Sequence, residues 1–264
     1  MIRYGMPALI ELNTVAQTAE LCRRLDLSFV ELNTNFPQYQ IHLLDAASLN
    51  RLRRELGIGF TLHLNDEMPV ADFCPSVAHG YRAAVLDAIE LAKRVEIPVL
   101  NMHVSEGGHY TTPERIVYFY EAFRREYLDG MARFRDICTE AIGQSGIRIC
   151  MENSTTYHGF QKEALELLLE SPAFDLTLDI GHSHCCGHAD EEWILRHDRL
   201  RHMHIHDAAG GVHDHLPLGA GVLDLPKYLA LAERHGCSAV LEVKTVAGLE
   251  QSVRWLRSHR WPAP

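Results

Sequence analysis

Short β-rich runs alternate with stretches of helical periodicity along the whole chain, and no other feature restricts the fold as strongly. The strand-like runs fall at 4–10, 28–33, 58–64, 98–104, 146–152, 174–180, 201–206 and 239–243. Helix-periodic segments fill 14–25, 45–56, 78–95, 113–142, 160–170, 190–197, 225–235 and 247–258. Such alternation implies parallel strands covered by helices. Eight βα units in 264 residues match the size of a closed barrel. A single (β/α)8 (TIM) barrel domain over 1–264 is therefore expected. Asn13-Thr14 and Thr112-Pro113-Glu114 read as helix starts. Gly57, Gly146 and Gly236 sit between helix and strand, where glycine best tolerates a left-handed helix end.

Strand parity then divides polar from apolar residues. In RLRHMHIHD, Met203 and Ile205 oppose His202, His204 and His206. Leu62 and Leu64 oppose Thr61, His63 and Asn65; Leu100, Met102 and Val104 oppose Asn101 and His103. Ile147, Ile149 and Met151 oppose Arg148, Cys150 and Glu152; Leu176, Leu178 and Ile180 oppose Thr177 and Asp179. Leu241 and Val243 oppose Val240, Glu242 and Lys244. Successive strand side chains point to opposite faces. The helices must cover the apolar face, so the polar face points into the barrel. Its polar residues gather at the C-terminal strand ends, where barrel enzymes keep their active sites.

Charge and cysteine content narrow the partners. A net charge of −10 argues against a broad nucleic-acid surface, and no apolar run is long enough to span a membrane. Seven cysteines with no CxxC pair fit free thiols and a cytoplasmic location. The vicinal Cys185-Cys186 pair reads as loop packing. Homo-oligomerisation stays open, because apolar outer-helix faces and partner contacts look alike in sequence.

The inward, strand-end residues are Glu31, His63, His103, Glu152, Asp179, His204 and Glu242. His182 follows in DIGH, and His213 and His215 in VHDHLPLGAG. Each alone reads as a satisfied structural residue. Together, their unpaired burial would be prohibitive. Carboxylates mixed with imidazoles suit zinc, manganese, iron or cobalt better than magnesium alone. A divalent-metal site and a small-molecule substrate are expected, with Glu31, His158, His206 and Lys244 as substrate contacts.

The ordered motifs LHLN, NMHVSEG, CMENST, LTLDIGH, HMHIHDA, HDHLPLGAG and LEVKT resemble the xylose isomerase-like, or AP endonuclease family 2, TIM-barrel superfamily. For its sugar isomerases and epimerases, the resemblance implies one zinc, manganese or cobalt ion held by Glu152, Asp179, His204 and Glu242. His182 would lie beside the substrate. Glu152 and Glu242 would move a proton between adjacent carbons through an enediolate. For the endonuclease IV branch it implies a zinc-dependent phosphodiester hydrolase whose three ions would add His63, His103, His182, His213 and His215. His213 stands where that branch has an aspartate, and the connections are short for DNA-inserting loops. In the ketose-epimerase pattern, His158 replaces a second glutamate and AAGG replaces an arginine. The leading expectation is a metal-dependent isomerase or epimerase of a sugar, sugar phosphate or related polyol. The hydrolase is the second reading and a non-catalytic metal-binding barrel the third.

Overall fold

The computed structural model describes residues 2–210 and 214–259. Its strands are β1 (Arg3–Pro7), β2 (Phe29–Asn33), β3 (Gly59–His63), β4 (Val99–His103), β5 (His109–Thr111), β6 (Ile116–Tyr118), β7 (Arg148–Glu152), β8 (Phe174–Asp179), β9 (Leu200–Ile205) and β10 (Ser238–Leu241). Its helices are α1 (Val15–Arg24), α2 (Ala46–Leu56), α3 (Pro75–Val95), α4 (Phe119–Ala122), α5 (Arg124–Ile142), α6 (Gly159–Leu169), α7 (Ile180–Cys185), α8 (Glu191–Arg196), α9 (Leu225–His235) and α10 (Val246–Ser258). Eight strands close a barrel in the order β1-β2-β3-β4-β7-β8-β9-β10, with every neighbouring pair parallel. The expected (β/α)8 barrel is the observed fold.

The apolar set assigned to the outer strand face is buried in the core: Leu62, Leu100, Met102, Ile149, Met151, Leu178, Met203 and Ile205 are all within 2% of full burial. Removing each such side chain from water contributes about 1.5–3 kcal/mol. This fixes register, because a one-residue slip would drive the inner polar set into the helical layer. Helix starts use local side-chain acceptors: Thr14 takes the Gln17 N–H, Asp45 the Ser48 N–H and Asp224 the Lys227 N–H. Gly57 and Gly236 close α2 and α9 in the left-handed region, as expected.

The expected helix over 113–142 requires correction. Residues 109–118 form the antiparallel hairpin β5–β6, and α5 begins only at Arg124. Thr112 Oγ1 accepts from Glu114 N (3.3 Å) and Arg115 N (3.0 Å), while Thr112 N donates to Arg115 O. The same hydroxyl-to-amide chemistry that starts helices here builds a turn. The β-branched Ile116-Val117 pair that follows favours a strand. Smaller corrections fall at element ends: β1 stops at Pro7, β10 stops at Leu241, and α7 begins directly on β8.

Inner-face registers set the site. His103 pairs with Glu152, Glu152 with Thr177, Asp179 with His204, and His204 with Val240. Glu152 therefore stands one inward step below Asp179 across the β7–β8 ladder. Glu242 follows two residues after Val240, one inward step above it.

Candidate metal centre

At the C-terminal mouth lies a cavity of about 370 Å³, lined by His63, His103, Glu152, His182, His215, Glu242 and Lys244 among others. Behind these residues His204 and Asp179 are completely buried. His204 Nδ1 lies 3.0 Å from Glu152 Oε1, 3.2 Å from Glu242 Oε2 and 3.9 Å from Asp179 Oδ2. Yet His204 Nδ1, Glu242 Oε2 and Asp179 Oδ2 make no hydrogen bond. The four residues offer ligand atoms that all lie within 4.8 Å of one another. Buried polar atoms are almost always satisfied, so several orphans facing one point call for an occupant. One imidazole and three carboxylates are a donor set for zinc, manganese or cobalt. The residues present fit a divalent cation.

The other oxygen of Glu152 faces a second group. Glu152 Oε2 lies 3.3 Å from His63 Nε2 and 3.2 Å from His103 Nε2, and Asn101 Nδ2 donates to it. His63, His182 and His215 each aim Nδ1 at a backbone carbonyl, of Leu64 (2.7 Å), Asn153 (3.1 Å) and Glu242 (3.1 Å) respectively. A carbonyl oxygen only accepts, so Nδ1 carries the proton in all three rings. The His182 and His215 ring centroids are 5.6 Å apart. His213 lies outside the described residues.

Local structure holds each ligand candidate. Asp179 ends β8 and caps α7, accepting the His182 N–H at 2.7 Å. Asn153 clamps the same residue from the side: Nδ2 donates to Asp179 O at 3.0 Å, and Oδ1 accepts Asp179 N at 2.9 Å. Asn101 links Glu152 to Thr177, whose hydroxyl donates to Asn101 Oδ1 at 2.6 Å. Lys244 Nζ donates to Glu242 Oε1 at 2.7 Å.

Electrostatics follow from these contacts. Burial alone would raise the Glu152 pKa, but the nearby charges of His204 and His103 hold it well below the usual range. Burial works the same way on Glu242, and His204 and Lys244 outweigh it. Burial opposes charge on His204, yet Glu152, Glu242 and Glu31 raise its pKa well above the usual histidine value. His63 rises to about 9 because Glu152 overcomes burial, while burial pushes His215 down to about 4.

Of the four expected substrate contacts, only Lys244 is among the residues lining the cavity. Glu31 is buried beneath it, where it accepts from Thr61 Oγ1 (3.0 Å) and His202 Nε2 (3.1 Å) and lies 2.8 Å from His204 Nε2. His206 is also completely buried. His158 precedes α6, takes the Gln161 side chain on its backbone N–H, and stacks on Phe160. Sequence reasoning did not single out Asn101 or Asn153 as site residues; parity placed Asn101 inside, but asparagine is no typical ligand for these cations. It also passed over Asn33, Asp66, Glu67, Ser154 and Thr155, which complete the cavity wall.

Comparison with known proteins places the fold. Several solved structures share the fold over 98% of this chain. A D-tagatose 3-epimerase-like protein has 21% identity, 97% of its own length covered and a TM-score of 0.78. The 3-keto-D-glucoside 4-epimerase YcjR from E. coli has 13% identity, 100% coverage and a TM-score of 0.76. The TTHB071 protein from Thermus thermophilus, soaked with ZnCl2, has 21% identity, 98% coverage and a TM-score of 0.71. Among curated proteins, Uncharacterized protein MJ1614 of Methanocaldococcus jannaschii is 27% identical over 149 residues, 54% of this chain. The match spans about half that relative's length, 53%. Residues 19–259 match the model of the family described as xylose isomerase-like TIM barrel, and the chain belongs to that family.

Proposed function

We propose that this protein is a divalent-cation-dependent isomerase or epimerase of a sugar, sugar phosphate or related polyol. One observation carries the reading: the convergence of His204 Nδ1 with carboxylate oxygens of Glu152, Asp179 and Glu242, three of these four atoms without hydrogen bonds. The structural likeness to a D-tagatose 3-epimerase-like protein and a 3-keto-D-glucoside 4-epimerase supports the sugar class. On this reading Glu152, Asp179, His204 and Glu242 hold a zinc, manganese or cobalt ion. A bound ion would supply Lewis acidity toward a substrate carbonyl.

The protein's own groups then handle the proton. Glu152 and Glu242 approach His204 Nδ1 from β7 and from the end of β10, with two barrel strands between them. One removes the proton from a carbon beside the carbonyl, and the other returns a proton, to the opposite face of the same carbon in an epimerisation or to its neighbour in an isomerisation. Lys244 keeps Glu242 ionised and therefore able to accept. His182 lies in the cavity wall beside the substrate. A cavity of about 370 Å³ suits a monosaccharide-sized ligand.

The test is solvent exchange. In D2O with Mn²⁺, a panel of ketoses, ketose phosphates and polyols should include one whose carbon-bound proton exchanges by NMR, and Glu152→Gln should abolish that exchange. A parent protein that catalyses no exchange across the panel would remove the isomerase reading. The second reading, a zinc-dependent phosphodiester hydrolase, is favoured by the donor set His63, His103 and Glu152 Oε2. Three zinc ions per chain with cleavage of bis(p-nitrophenyl) phosphate would select it. Cation binding with neither activity would leave a metal-binding barrel.

A further inference from the structure

The alternation in RLRHMHIHD gives three imidazoles one parity, His202 and His204 on β9 and His206 directly after it, and the structure surrounds each differently. His204 carries the candidate ligand nitrogen. His202 lies one inward step below it, between Ser238 Oγ (2.6 Å from Nδ1) and Glu31 Oε2 (3.1 Å from Nε2). His206 lies one step above, completely buried, with its ring centroid 4.2 Å from that of His215 and 6.1 Å from that of His182. Its nitrogens come close enough to those of His182 and His215 to suggest a three-imidazole cation site.

The hydrogen bonds of His206 argue otherwise. Nδ1 faces the Asp207 carbonyl oxygen at 3.1 Å, and Nε2 faces Asp179 Oδ1 at 3.2 Å. Both partners are oxygens that only accept, so both nitrogens are aimed as donors. A ring bonded at both ends has no lone pair to offer a cation or a substrate. Its effect falls on Asp179. With the His182 N–H, His206 Nε2 saturates Oδ1, while Oδ2 has no hydrogen bond and faces His204 Nδ1 at 3.9 Å.

Gly181 shows that the chain makes room for this ring. A Cβ at Gly181 would lie 1.9 Å from His206 Cε1, 2.4 Å from Nε2 and 2.6 Å from Nδ1. No side chain fits there while the imidazole stays in place. The glycine of DIGH is explained by close approach to His206 rather than by positive φ, since Gly181 is absent from the positive-φ glycines.

We propose that His206 is a positioning residue: it holds one oxygen of Asp179 so that the other is presented to the cation, and Gly181 admits its ring. This rests on the metal reading above. The experiment measures Mn²⁺ and Zn²⁺ dissociation constants of the full chain by chelator competition, beside melting of the cation-free protein. His206→Leu, which keeps an apolar bulk but no donor, should weaken binding by about 10–100-fold, the usual effect of losing a partner behind a ligand. His206→Gln, which keeps an N–H, should recover part of that loss. Gly181→Ala, which displaces the ring without changing it, should weaken binding in the same direction. Undiminished cation affinity in His206→Leu or in Gly181→Ala would overturn the proposal, as would equal loss in the Leu and Gln variants. A purely structural His206 would lower the melting temperature alone. A parent protein that binds neither cation would overturn the metal reading itself, and this inference with it.

Discussion

Asp175 and Asp179 stand four residues apart on β8, on the same inward face, and both are buried. Toward the start of the strand, Asp175 is fully matched: Arg199 Nε lies 2.7 Å from Oδ1 and Arg148 Nε 3.3 Å from Oδ2. At the mouth, Asp179 shares one oxygen between two donors and leaves the other unpartnered. Residue type, strand and face are the same; the partners differ. At the base of the barrel the cation is supplied by two arginines. At the mouth the surrounding side chains are imidazoles and further carboxylates, and they leave Asp179 Oδ2 without a hydrogen bond. This difference separates a stabilising ion pair from a candidate ligand.

The largest expected effect lies at the mouth. Glu152→Gln should reduce turnover of the exchanging substrate by roughly 10²–10⁴-fold, the range for a general acid–base group; steady-state kinetics at saturating Mn²⁺ measures it. Next comes the direct comparison of the two aspartates. Asp179→Asn should weaken Mn²⁺ binding by at least about 10–100-fold with little loss of cation-free stability. Asp175→Asn should do the reverse, costing about 1–3 kcal/mol in urea unfolding with unchanged Mn²⁺ affinity. Equal effects from the two variants would erase the distinction.

A smaller effect concerns pH. His63 and His206 titrate at about 9 and about 8 in the fold, above the ordinary 6.5. Raised values mean that protonation stabilises the fold. That contribution is complete below about pH 6.5 and is lost as pH climbs through the folded values. The cation-free protein should therefore melt several degrees lower at pH 9 than at pH 6.5, and His63→Gln should flatten that slope. The smallest effect belongs to the base: Gly57, at φ +69°, should cost about 1 kcal/mol when replaced by alanine, leaving cation affinity untouched.

Much of this was legible from residue order. Alternation along β3, β4, β7, β8 and β9 put His63, His103, Glu152, Asp179 and His204 inside, because burial under helices demands an apolar outer face. The hairpin at 109–118 was not legible: Thr112 can serve a helix or a turn with one hydroxyl, and distant packing chooses between them. The substrate contacts were only partly legible. Glu31 and His206 share the inward parity of the ligand candidates, but parity does not say how deep along the barrel axis a residue sits or which of its atoms are already bonded.

The sequence by itself determined the βα repeat, the register and the gathering of acids and imidazoles at one end, since these follow from a period of two and the need to bury leucine, isoleucine and methionine. Only the tertiary structure decided which oxygen of Asp179 is spent and which is left, that Asn101 and Asn153 brace the ligand candidates Glu152 and Asp179, and that Gly181 admits His206. Those outcomes depend on angles and distances between strands far apart in the chain, set by closure of the barrel and carried by no single segment.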